Sequence, residues 1–262
     1  MTITFRGTTA LITGASAGLG TEFADQFARR GADVVLVARR ADRLEEIAAE
    51  VRSRHGVSAH VVPLDLTEPG AVATLADELE GRGIRVDHVV NNAGFGMKGA
   101  FAEADAERID ALVQLNVAVL TSLTRAFLPA LVARGSGTVI NIASTAAFQP
   151  LASMAIYGAS KAYVLSFTEA LAHEVRPQGV TVLAVCPGAT ATEFFDVVGD
   201  ARAAVGAMQT PTQVVDAAFR ALARRKPPYS IVSGVQNKTG AVIVGLVPRR
   251  ARVALTAGLL ER

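Results

Sequence analysis

Seven short runs of β-branched and aliphatic residues are separated along this chain by longer stretches whose apolar residues recur at helical spacing. The runs fall at 10–13, 33–38, 58–63, 88–91, 137–142, 181–186 and 229–233, and the helical stretches at about 19–30, 43–54, 71–80, 106–133, 153–176 and 212–225. Alternation of this kind builds βαβ units, whose strands lie parallel. Runs such as Val34-Val35-Leu36-Val37 are apolar at consecutive positions, so both strand faces need cover. The expected fold class is therefore α/β, a doubly wound, seven-stranded parallel sheet with helices on both faces. Asp42 and Thr210-Pro211 read as helix starts, and Gly31, Gly56, Gly135 and Gly179 as stops.

With 262 residues, 50% hydrophobic and 19% charged, the chain can bury one large core, and a single domain over 1–262 is expected, its core at about 7–234 and a tail at 235–262. The net charge of +2 is scattered rather than gathered into a stripe, which disfavours a nucleic-acid partner. A single cysteine, Cys186, excludes an intrachain disulfide. His55, His60, His88 and His173 show no metal-ligand spacing, so no metal is expected. The first residues lack a signal-like pattern, and no uninterrupted apolar run approaches the roughly 18 residues of a spanning helix. No transmembrane segment is expected, and a cytoplasmic location is.

Immediately after the first strand the chain reads Gly14-Ala15-Ser16-Ala17-Gly18-Leu19-Gly20 and turns helical. Such a turn can be plain strand-to-helix punctuation. At the end of strand one of a doubly wound sheet it is where a pyrophosphate meets backbone N–H groups and the positive end of a helix dipole. The second strand ends Ala38-Arg39-Arg40, without the carboxylate that would bind the ribose hydroxyls of NAD. Arg39 offers a planar guanidinium to a 2′-phosphate, and Arg40 reads as a bystander. NADP(H) is the expected cofactor, with NAD(H) as the alternative.

Tyr157 and Lys161 stand four apart on a predicted helix and so share a face, with Ser144 just beyond the fifth strand. A neighbouring ammonium, joined by oxidised nicotinamide, favours the phenolate, which would make Tyr157 an acid/base that protonates a carbonyl oxygen held by Ser144. By itself a tyrosine and a lysine at this spacing also occur on ordinary helices.

Together, the glycine turn, Asn91-Asn92-Ala93-Gly94, Asn116, Ser144 and Tyr157 with Lys161 closely resemble the short-chain dehydrogenases/reductases, over about 7–234. The resemblance implies a Rossmann-type fold and hydride transfer between nicotinamide and a carbonyl or secondary alcohol. It implies that Asn116 holds a helix irregularity and a water leading to Lys161, and that Lys161 also binds the nicotinamide ribose. Asp65 with Leu66 matches the adenine-binding position, and Asn91 the residue that steadies the central sheet. Asn92, Ala93 and Gly94 approach the cofactor, and Pro187-Gly188 with Thr190 and Thr192 resembles the loop over nicotinamide. Members preferring NADPH often carry a second basic residue where this chain has Ala17, which leaves the discrimination to Arg39.

In this fold the substrate lies between the segments after strands five and six. Phe95, Met97, Ala146, Phe148, Leu151, Met154, Phe194, Phe195 and Val198 are the candidates there. An apolar lining favours a hydrophobic ketone, aldehyde or alcohol, although such residues also serve simply to pack a lid. The tail mixes Ala241 to Val247 with Arg249, Arg250 and Arg252, then Val253-Ala254-Leu255 and Leu259-Leu260. It fits a membrane surface, a lid over the substrate or, as the favoured reading, the cover of a neighbouring subunit in a homodimer or homotetramer. The alternatives to a reductase of hydrophobic carbonyls are a non-catalytic NADP(H)-binding regulator, a lipid- or steroid-type reductase at a membrane, and a sugar-nucleotide epimerase. The chain beyond Gly188 is short for the last.

Overall fold

The computed structural model describes residues 5–200 and 207–260, and of Leu255, Leu259 and Leu260 the backbone alone, so the readings placed on residues 1–4 and on those three side chains lie outside the described residues. Seven strands, β1 (Thr9–Thr13), β2 (Asp33–Ala38), β3 (Ala59–Pro63), β4 (His88–Asn91), β5 (Gly137–Ile142), β6 (Val180–Cys186) and β7 (Ser230–Val232), form one sheet in the order β3-β2-β1-β4-β5-β6-β7. Every pairing is parallel. This is the Rossmann-type, doubly wound arrangement expected from the alternation of runs.

The consecutive apolar residues are explained by two core layers. Ile12, Val34 and Leu36 face helices α1 (Gly18–Arg29) and α2 (Ala41–His55) together with α8 (Pro211–Leu222), in a layer centred on Phe23, Phe27 and Phe219. Leu11, Val35 and Val37 face the other way, in a layer with Leu75 of α3 (Ala71–Gly81), Leu123 of α5 (Leu120–Arg134) and Ala172 of α6 (Ala155–Val175). Each fully buried Leu, Val or Phe contributes roughly 1.5–3 kcal/mol relative to exposure.

Element starts depart from the sequence reading for identifiable reasons. Helix α2 begins at Ala41 with Arg40 at its N-cap, so Asp42 lies in the first turn, where its charge suits the dipole, and does not cap. Helix α6 starts at Ala155 because Ser153 holds φ +60, a conformation no helix accepts. Thr210 does cap α8, with Gln213 completing a capping box.

The stretch read as one helix over 106–133 is α4 (Ala106–Val113), a π-turn at Gln114–Val119 and α5. By length and composition alone Ala106–Arg134 is long and apolar enough to cross a membrane, although polar residues interrupt its apolar run. Here Leu112, Val119, Leu120, Leu123 and Leu131 are buried in the core. Among the described residues, three α-helices were not foreseen: α7 (Phe194–Val198), and α9 (Val235–Leu246) and α10 (Arg249–Leu260) in the tail.

Candidate active site

Strand β1 pairs with both β2 and β4, so chain order reverses at its C-terminal end and a crevice opens there. The glycine turn lines it. Gly14 and Gly18 hold φ +64 and +55. A Cβ on Gly14 would lie 2.9 Å from the Asn92 amide, one on Gly18 2.7 Å from Thr192 Cγ2, and one on Gly20 would strike the Gly14 carbonyl. Only bare backbone fits. Helix α1 begins on Ala17, which has no side-chain oxygen to cap the first-turn N–H groups, and these are the donors an anion would use. Ala17, Gly18 and Leu19 line the crevice, and Ser16 is buried behind them.

The two arginines after β2 divide differently from expectation. Arg39 is 77% exposed and lies 3.7 Å from the Asp65 carboxylate. Arg40 turns back onto the glycine turn, donating to the Ser16 hydroxyl and carbonyl at 3.1 Å, and crosses the crevice mouth to Glu193 at 3.0 Å. The backbone of Arg40 at the α2 N-cap, with φ −82 and ψ 89, aims it there, a conformation the residue pair does not announce. Partial burial raises the Asp65 pKa, but hydrogen bonds from Thr67 and the nearby Arg39 outweigh it and hold the carboxyl below its ordinary value. Leu66 is buried beneath it in the core.

Across the crevice, Asn92 donates to the Thr13 carbonyl at 2.9 Å and to the Gly14 carbonyl at 3.2 Å, fixing the β4 end against the cradle. Asn91 instead ties strands together, donating to Asn141 at 2.8 Å and to Thr124 at 2.9 Å. Asn116 sits in the π-turn, as the irregularity implied. Its amide bonds both backbone groups of Phe95, N at 3.1 Å and O at 2.9 Å, and donates to Ser160 Oγ at 3.1 Å. A Cβ on Gly94 would meet Asn116 Oδ1 at 2.8 Å, so the loop lies flat on the turn.

Ser144, at the end of β5, caps a short 3-10 turn by accepting from the Ala146 N–H at 3.1 Å. Tyr157 and Lys161 come from the first turns of α6 and are buried. Burial pushes the phenol up to about 12, and a hydrogen bond with Ser144 opposes the shift. Burial brings Lys161 down to about 8. The sequence reading had the lysine favouring the phenolate. Burial outweighs that effect here, since the ammonium donates to the Ile142 carbonyl at 2.8 Å and lies 5.8 Å from the tyrosine ring centre.

These groups meet in a cleft of about 330 Å³. Pro187, Gly188, Thr190 and Thr192 form one wall, with Thr190 donating to the Gly188 carbonyl at 3.0 Å. Phe95, Ala146, Leu151, Met154, Phe194 and Phe195 line the apolar end, and Phe194 stands 5.4 Å from the Tyr157 ring. Three proposed substrate residues fall outside it. Met97 lines a separate small pocket beside Phe101, Phe148 packs against the core cluster of Leu120 and Val164, and Val198 is buried against Leu112 and Met154. Gln149, Glu193, Val197 and Thr256 line the cleft unforeseen. Thr256 reaches it from the distant helix α10, and nothing local in the sequence signals that.

A model of the short chain dehydrogenase family matches residues 8–203. Ketoacyl reductase HetN from Nostoc sp. is 32% identical over 94% of this chain and 81% of its own. A short-chain dehydrogenase from Sphingobium yanoikuyae, solved with NADPH, is 38% identical, covers 90% of this chain and 92% of its own, and superposes with a TM-score of 0.80. The bulky-bulky ketone specific alcohol dehydrogenase from Comamonas testosteroni is 32% identical over 92% of this chain and 95% of its own, with a TM-score of 0.76.

Proposed function

The chain belongs to the short-chain dehydrogenase/reductase family of oxidoreductases, and from that premise we propose that it uses NADPH to reduce an apolar ketone or aldehyde to the alcohol, or runs the reverse, with Tyr157 as acid/base. The observation that carries the reading is a buried Tyr157 phenol beside Ser144 at the apolar end of a cleft whose other end is a glycine cradle. When bound, the nicotinamide supplies the hydride. Tyr157 gives its proton to the carbonyl oxygen as negative charge develops there, and Ser144 Oγ donates a hydrogen bond to the same oxygen. The Lys161 ammonium stabilises the phenolate that remains. Arg40, already on the cradle, and Arg39 beside it would take a 2′-phosphate, which favours NADP(H) while leaving NAD(H) usable. The apolar lining disfavours a sugar, whose hydroxyls would be buried unpaired. A cytoplasmic homodimer or homotetramer acting on a small molecule completes the proposal.

Titration with NADPH and NADH followed by a panel of hydrophobic ketones, read as loss of cofactor absorbance, tests it. Tyr157→Phe should lower turnover at least ~100-fold, as expected when a general acid is lost, and leave NADPH affinity within about threefold. Full activity in that variant removes Tyr157 from the mechanism, and tight NADPH binding with no turnover on any ketone points to a regulator.

A further inference from the structure

We propose that helices α9 and α10 form a docking face for an anionic lipid bilayer. On α9, Val235, Val242, Ile243 and Leu246 fall on one side at helical spacing and are all exposed, Val235 at 82% and Leu246 at 83%. Val253 of α10 is exposed too. An apolar stripe left open on a helix signals an interaction surface.

Charge selects the occupant. From Val235 to Leu260 there is no Asp or Glu, while Lys238, Arg249 and Arg250 are all exposed around the stripe. The body of the chain before the tail carries slightly more acid than base, so the positive charge is local to these helices. Arg252 is used internally, donating to the Val247 carbonyl at 2.6 Å and the Gly245 carbonyl at 2.8 Å, where it closes the end of α9. A second copy laid symmetrically on this face would set basic residues against basic residues with no carboxylate among the described residues of the two helices to answer them. An anionic bilayer answers both features, phosphates meeting the arginines and acyl chains the valines and leucine.

The two helices are fixed to the cleft. Asn237 of α9 packs against Gly188 and donates to the Ser233 carbonyl at 2.8 Å, and Thr256 of α10 donates to the Pro150 carbonyl at 2.9 Å. Thr256 is also part of the cleft wall. A seated tail therefore brings the cleft to the lipid surface, whatever its substrate.

Co-sedimentation of the full chain with phosphatidylcholine vesicles, with and without phosphatidylglycerol, tests the assignment. The expected result is partition onto the anionic vesicles only, weakened roughly thirtyfold in the double variant Arg249→Gln/Arg250→Gln, since each cation near an anionic surface contributes about fivefold and two act together. Val242→Ser/Leu246→Ser should weaken it as well, with NADPH-induced thermal stabilisation retained as the sign of an intact fold. Absence of any preference for anionic vesicles in the parent protein overturns the proposal, as does unchanged partition in the arginine variant. Loss of self-association in Val242→Ser/Leu246→Ser, seen by light scattering without loss of vesicle binding, assigns the face to a second copy instead.

Discussion

Burial acts on Tyr157 and Lys161 in opposite directions, keeping the phenol protonated and loosening the proton on the lysine. The lysine has a consequence for stability. Its pKa is about 8 in the folded chain and 10.5 ordinarily, so below pH 8 folding must bury an ammonium, at a cost of about 3 kcal/mol. Between pH 8 and 10.5 the unfolded chain binds more protons than the folded one, so stability rises with pH through that window. Lys161→Met should raise stability at pH 7 by ~1–3 kcal/mol and flatten the rise, measured as Tm against pH, while lowering turnover. A Tm at pH 7 that falls would show that the bond to the Ile142 carbonyl outweighs the buried charge. The arginines after β2 make a second test at this scale. Arg40→Ala should weaken NADPH about tenfold or more and NADH far less, with Arg39→Ala having the smaller effect, as follows from losing a charge-assisted phosphate contact. Equal losses for both cofactors would remove the 2′-phosphate from the role of Arg40. Both arginines were legible in the sequence. Which of them lies on the cradle was not, because it depends on the backbone at the start of α2.

Elements place these side chains, and the π-turn between α4 and α5 does so most directly. Its widened coil lets Asn116 bond both backbone groups of Phe95 and the Ser160 hydroxyl, coupling the loop after β4 to helix α6, which carries Tyr157 and Lys161. Asn116→Ala leaves the half-buried N–H and C=O of Phe95 without their partner, and each such group costs up to about 1 kcal/mol, the low end of the range for a buried one. The expected outcome is a lower denaturation midpoint together with reduced kcat at little-changed KM for substrate. A loss of stability with unaltered kcat would reduce the turn to a packing feature. Strands were legible to within a residue or so because the sheet is covered on both faces and its runs are unbroken, as Val34 to Val37 show. The tail was less so. Its helices α9 and α10 rest on the body by few buried residues, and the apolar stripe from Val235 to Leu246 lies outward, so no inward face marks them as helices in advance.

At the scale of the molecule, the cleft is assembled from the ends of strands far apart in sequence, and this decides what could be foreseen. The cradle, Asn92, Ser144, Tyr157 and the loop after β6 carry backbone or chemical requirements that restrict residue type, so they stand out. The lining does not, because packing accepts any apolar side chain: Met97 and Phe148 turn elsewhere, and Thr256 enters from the far end of the chain. The strand order β3-β2-β1-β4-β5-β6-β7 also governs how the protein comes apart. A piece ending at Arg134 keeps the glycines, both arginines and Asn116, yet lacks Ser144, Tyr157 and Lys161. Such a piece keeps the residues proposed to grip a dinucleotide and none of those proposed for the chemistry, and its β4, stripped of β5, becomes a bare edge through Val89 and Val90. Open apolar edges recruit other chains, so the half carrying the proposed cofactor grip would not stay a free-standing unit but would be drawn into aggregates.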